Sequence, residues 1–148
     1  MIRNQKEYDE AQRRVQVDEA FIAEQKKTLE TMGLSPEEVE RAMQPALSFH
    51  AQLIEEVEWY DRVRQRDFDT IKSLTAIGRL LIAVRIANGL TQKDLADRLG
   101  VSEAQVSRDE RNEYHGITIE RAQRTFDALK AQISMTVEKE QKEPVLVG

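Results

Sequence analysis

The stretch LTQKDLADRLGVSEAQVSRDER, residues 90–111, decides how this chain is read. Thr91 is a good helix N-cap, because its hydroxyl accepts a bond from a backbone N–H that the first turn leaves unpaired. Leu95 and Leu99 fall one turn apart on a single face, with Ala96 beside them. A side chain as small as that of Ala96 lets a second helix cross closely. Gly100 follows at once, where a left-handed residue ends the helix without a Cβ clash. Val101 then supplies an apolar plug, and Ser102 caps a new helix that carries Val106 inward. The outward positions of that helix are Glu103, Ala104, Gln105, Ser107, Arg108 and Arg111, all short or hydrogen-bonding side chains. The spacing predicts two helices joined by a tight turn, the second with a polar outer face.

Together with Arg85 and Glu110, this pattern (TQxxLAxxLGVSxxxVSxxE) resembles the Xre family of Cro/cI-type phage and bacterial regulators over about residues 77–129. The resemblance implies a bundle of about five helices with residues 103–111 in the major groove of double-stranded DNA. It implies that Gln92 bonds a phosphate at the start of the scaffold helix, with Lys93 and Arg111 also positioning the backbone. Glu103, Ala104 and Arg108 would lie nearest the base edges with Ser107 close by, and Ser102 and Gln105 complete the candidate DNA-binding set. Arg85 and Glu110 match the family's buried ion pair, whose disruption would strand an uncompensated buried charge. The chain departs from the family pattern at three positions. Asp109 stands where an apolar residue is usual. Glu103 puts a carboxylate where Gln or Arg is common, and a carboxylate reads cytosine N4 but repels phosphates. Asn112 replaces the commoner glycine after the reading helix, asparagine being the next-best left-handed cap.

At 148 residues the chain has room for one good core, or for a small domain with an appended module. It has no cysteine, which excludes disulfides and thiolate metal sites and fits a reducing cytoplasm. No apolar run approaches ~18 residues and no signal-peptide core opens the chain, so the expected location is cytoplasmic, without a membrane partner. The formal net charge of −5 is unusual for a nucleic-acid binder. Residues 1–75 hold 11 Lys+Arg against 16 Asp+Glu, whereas residues 76–131 hold 9 against 8. The acid is therefore concentrated outside the helix-turn-helix. A balance this weak implies modest affinity per monomer, so a homodimer is expected.

The N-terminal part reads as a long helix over about residues 4–31. Tyr8, Ala11, Val15, Ile22, Leu29 and Met32 alternate three- and four-residue steps, with Asp18 and Gln25 in the intervening slots. Gly33 stops it, and Ser35-Pro36-Glu37-Glu38 restarts a helix with an N-cap, a proline at the first position and a capping glutamate. Leu34 and Val39 occupy the positions of a hydrophobic staple. Pro45 is expected to kink or break this second helix, which resumes through Leu47, Leu53, Ile54, Val57, Tyr60 and Val63. Beyond the helix-turn-helix, Thr118 caps a helix bearing Ile119, Ala122, Phe126 and Leu129. Ile133 to Val137 alternate like a short strand that would pair with a twofold mate, and residues from 138 onward read as disordered.

The sequence thus predicts an all-α fold in three parts: a long-helix hairpin over residues 1–72, a five-helix Cro/cI-like helix-turn-helix domain over 73–131, and a short strand and tail over 132–148. The expected function is a sequence-specific transcriptional repressor, dimeric on an inverted-repeat operator. Long N-terminal helices such as those around NQKEYDEA and QLIEEVEWYDRV are similar to those of some Xre-type antitoxins, which implies a toxin partner bound through residues 1–72. Trp59 and Tyr60 read either as a partner-binding anchor or as hairpin core. Glu55, Glu56, Glu58 and Asp61 read either as a solvated face or as an acidic surface that steers a basic partner. His50 and His115 have no cysteine, histidine or paired carboxylates at metal spacing, no nucleophile is placed by a motif, and no cofactor is expected. An enzyme is not expected.

Overall fold

The computed structural model describes residues 1–139, and its described part is built of α-helices. The first, α1, spans Gln5–Thr31 and is capped by Asn4, whose Oδ1 accepts from the Glu7 N–H at 2.8 Å. Gly33, at φ +86°, turns the chain, and Ser35 and Glu38 form the capping box that starts α2, Pro36–Arg64. Pro45 lies inside α2 without ending it, contrary to the expected break. The proline removes one N–H from the ladder, but α2 packs along α1 and that contact holds the helix through the gap.

Two contacts fix the register of this antiparallel hairpin. The Tyr8 hydroxyl donates to Asp61 Oδ1 at 2.6 Å, and His50 Nε2 lies 3.5 Å from Glu19 Oε1. The Tyr8 ring also stacks on Tyr60 with centroids 4.9 Å apart. Of the expected seam, Ala11 is buried and Tyr8, Val15, Asp18, Ile22 and Leu29 are half-buried, while Gln25 and Met32 face solvent. Met32 lies just past the last helical residue, and Gln25 is a polar slot flanked by the half-buried Ile22 and Leu29, so the seam itself continues to the end of α1.

A single 3-10 turn, Leu74–Ala76, leads into α3, Ile77–Ala87. Six consecutive residues of α3, from Leu81 to Ile86, are buried. This helix is covered on several sides, by α2 and by the last helix of the domain. Three more follow: α4, Gln92–Leu99, α5, Glu103–Arg111, and α6, Ile119–Ala128. Trp59, Tyr60 and Val63 at the end of α2 share one core with Leu81, Ile82, Leu95, Val106, Phe126 and Leu129. Trp59 and Tyr60 are thus core residues, and Ile2, ahead of α1, is buried in the same cluster.

Residues 77–128 therefore contribute four α-helices where the resemblance implied five. Lys130, at φ 55°, turns the chain out of α6, and residues 131–139 have no regular structure. The base of the hairpin closes the core instead. No strand forms among the described residues: Ile133, Met135 and Val137 are exposed, and a strand without a pairing partner has no ladder to stabilise it. Most of the expected disordered tail, residues 140–148, lies outside the described residues. No single described helix is long and apolar enough to cross a membrane.

Candidate nucleic-acid interface

The two-helix unit is assembled by caps and one tight turn. Thr91 Oγ1 accepts from the Asp94 N–H at 3.0 Å, and Asp94 Oδ2 accepts from the Thr91 N–H at 2.9 Å. The Thr91 N–H, and after it the Thr91 side chain, hold the Asp94 carboxyl below the usual carboxylate range. Gly100, at φ 70° and ψ 29°, ends α4 in the left-handed conformation. The Val101 N–H closes the turn on the Ala96 carbonyl at 3.0 Å. Ser102 Oγ accepts from the Gln105 N–H at 3.1 Å and starts α5. Leu95, Ala96 and Val106 are buried where the helices cross, but Val101 is exposed and is no plug. Its backbone completes the helix end while its side chain points away from the core.

Arg85 and Glu110 form the centre of the domain. Arg85 Nε donates to Glu110 Oε2 at 2.6 Å and Nη2 to Oε1 at 2.7 Å, a bidentate pair with both residues buried. The remaining guanidinium donors reach the Leu90 carbonyl at 2.8 Å and the Arg3 carbonyl at 3.0 Å. One side chain thereby fastens α3 to α5, to the loop before α4 and to the segment ahead of α1. Gln92 joins the same network, its Nε2 donating to Glu110 Oε1 at 3.1 Å. Gln92 is therefore half-buried and turned toward the ion pair, where the resemblance implied a side chain free for a phosphate.

The other candidate residues all reach the surface. Lys93, Ser102, Glu103, Ala104, Arg108 and Arg111 are exposed, and Ser107 and Gln105 are half-buried. Gln105 Nε2 donates to Asp109 Oδ1 at 3.0 Å, one turn along α5. Asp109 also accepts from Arg121 Nη2 at 2.9 Å, so the polar residue at this usually apolar position ties α5 to α6. The spacing of Asp109 and Arg121 did not reveal that bond, because an intervening loop sets it.

Asn112, expected as a left-handed cap, has φ −89°. The left-handed residues are Glu113 and Tyr114, at φ 51° and 54°. Tyr114 is buried, which pushes its phenol well above the usual value, and its N–H bonds the Asp109 carbonyl at 2.7 Å. The loop passes so close to α3 that a Cβ at Gly78 would lie 1.8 Å from the Glu113 carbonyl oxygen. Thr118 caps α6 through the Arg121 N–H at 3.1 Å. Ala122, Phe126 and Leu129 are buried as expected, but Ile119 is exposed at the start of the helix. His115 is exposed in the loop, and His50 faces the hairpin seam with its Nδ1 unbonded. Among the described residues no group of His, Cys, Asp or Glu is placed to hold a metal ion.

Residues 81–133, from within α3 to beyond α6, match the helix-turn-helix family. The chain therefore carries a helix-turn-helix domain of the DNA-binding class, and α4, the turn and α5 are its defining unit. No curated protein and no solved structure matches the chain.

Proposed function

We propose that this protein is a cytoplasmic transcriptional repressor of the Xre type, not an enzyme, that binds an inverted-repeat operator as a dimer. The observation that carries the reading is the exposed polar face of α5, held in place by the Arg85–Glu110 pair beneath it. In this reading Arg108 contacts a guanine edge, Glu103, Ala104 and Ser107 lie beside it, and Lys93 and Arg111 grip phosphates. Ser102 and Gln105 border the same surface. Gln92 acts on DNA beside the ion-pair network: one N–H of its amide is committed to Glu110, and the second is the donor left for a phosphate. Two α5 helices about one DNA turn apart repress by occupancy. Residues 1–72 then serve as an oligomerisation or partner-binding module, residues 73–131 as the DNA-binding domain and 132–148 as a tail.

The test is fluorescence anisotropy on the DNA upstream of the gene and on a shuffled duplex. Arg108→Ala is expected to weaken specific binding by about 1–3 kcal/mol while leaving the shuffled duplex nearly unaffected. Equal losses on both duplexes would remove Arg108 from base readout.

A second reading has its own support. Phe21 is 58 % and Phe49 74 % exposed on the hairpin, with Val17 and Met32 also facing solvent. Such apolar exposure away from the DNA-binding domain suits a protein partner. An antitoxin that neutralises a toxin through residues 1–72 and represses its own operon would use both surfaces.

A further inference from the structure

A cleft of about 430 Å³ lies where the base of the hairpin meets the helix-turn-helix. Arg3, Tyr60 and Arg64 line it from the hairpin side, and Gln92 and Glu103 from the two helices of the DNA-binding unit. It opens at the start of α5, the end from which the reading helix addresses DNA in the proposed function. Its charged side chains are Arg3, Arg64 and Arg85 against Glu103, and Arg85 is already paired with Glu110. Arg64 is exposed, has no carboxylate within 4.0 Å among the described residues, and rests over the Tyr60 ring at 5.9 Å. One of its N–H groups donates to Gln5 Oε1 at 2.6 Å, which leaves most of the guanidinium fork uncommitted. Arg3 is half-buried, its backbone carbonyl held by Arg85 and its side chain 3.7 Å from Glu7. Glu103 is the one acidic residue on the cleft wall.

We propose that this cleft holds a phosphate of the DNA backbone, with Arg64 as its principal ligand and Arg3 as the second. This inference rests on the proposed DNA-binding function. It assigns part of the grip on DNA to a module outside the helix-turn-helix. The need for such a grip is visible in the charge balance, since residues 76–131 carry 9 Lys+Arg against 8 Asp+Glu. A guanidinium suits the site because its planar fork bonds two phosphate oxygens at once. The hairpin as a whole is acidic and would repel DNA, but Arg3 and Arg64 gather at the base that adjoins α4 and α5. Docking the hairpin base against α3 fixes them there, so no ordering of a loose arm is needed on binding.

The experiment is a salt titration of binding by the full chain, on a labelled duplex carrying the DNA upstream of the gene and on a shuffled duplex. Arg64→Gln is expected to lower the salt slope by about one on both duplexes. Affinity at fixed salt should fall by the same factor on each, so sequence discrimination stays unchanged. Arg64→Lys should retain most of the slope. Arg41→Gln is the control, an exposed arginine about 35 Å along α2 from Arg64, and should leave the slope unaltered. A thermal melt of each variant separates loss of DNA contact from loss of folding. If Arg64→Gln keeps the wild-type slope, or if Arg41→Gln lowers it equally, the cleft is not a phosphate site although DNA binding stands. If the wild-type chain binds neither duplex at low salt, the function and the cleft fall together.

Discussion

α1 and α3 are both regular helices, yet they are stabilised by different means. In α1 only Ala11 is buried over 27 residues, whereas α3 buries six residues in succession within 11. Helix α1 depends on its Asn4 cap, a half-buried seam against α2 and local pairs such as Arg14 with Asp18. Helix α3 is held by tertiary packing from several sides, and it carries Arg85 into the centre of the domain. An isolated helix gains little from propensity alone, so burial decides where cooperativity resides. The rigid region is the one that must present α5 with fixed geometry. The hairpin beyond its base has no such constraint.

The sharpest way to break this comparison is at the ion pair. Glu110→Ala leaves the Arg85 guanidinium buried without its counter-charge, and is expected to cost about 3–5 kcal/mol in a denaturant melt. Replacing both partners by apolar residues of similar volume should recover much of that loss. If the single and the double variant were equally unstable, the pair would not be the link described here. A smaller contrast follows from packing. Leu81→Ala is expected to cost about 2–5 kcal/mol, as a fully buried leucine in a dense core. Ile22→Ala, half-buried on the seam, is expected to cost about 1 kcal/mol, because much of its surface is already in water. Amide exchange should agree, slow over residues 81–86 and fast over residues 13–31. Equal protection in both segments would show that the far hairpin is as cooperative as the core.

Features set by short-range chemistry could be read directly from the sequence. The caps at Thr91, Ser102, Ser35 and Thr118, and the left-handed Gly100, each involve residues within four positions of one another. The Arg85–Glu110 pair was legible only through the family pattern, since 25 residues separate its partners. What stayed hidden was set by contacts between distant segments. Ile2 carries no local signal for burial, and nothing around Asp109 announces Arg121. Gln92 turns inward because Glu110 offers an acceptor, which its position at the start of α4 does not reveal. The left-handed pair Glu113 and Tyr114 follows from the approach of the loop to Gly78 and from burial of the Tyr114 ring. Asn112 has the higher left-handed propensity, and tertiary packing overrides it.

The smallest expected effect concerns acid, and it separates local from tertiary stabilisation once more. Asp94 is exposed, and its carboxylate is stabilised chiefly by hydrogen bonding to Thr91 at the start of α4, with smaller contributions from the Arg98 and Lys93 charges. Those bonds place its folded pKa below the ordinary value of 3.8. The folded state therefore binds this proton less readily than the unfolded state does. The resulting stabilisation is complete above that ordinary value and is lost as pH falls through the folded value. Asp94→Asn should accordingly lower Tm slightly near about pH 6, and by less near about pH 2.5, because the wild-type carboxylate takes up its proton as pH falls through the folded value. Raising salt should narrow the difference only in part, because the largest contribution is hydrogen bonding in direct contact, while the smaller ones from Arg98 and Lys93 are screened. A gap in Tm that is the same at both pH values would mean that the asparagine acts through helix propensity or packing. The cap would then contribute nothing through its charge, and the start of α4 would owe its stability to Leu95 and Ala96 beneath it.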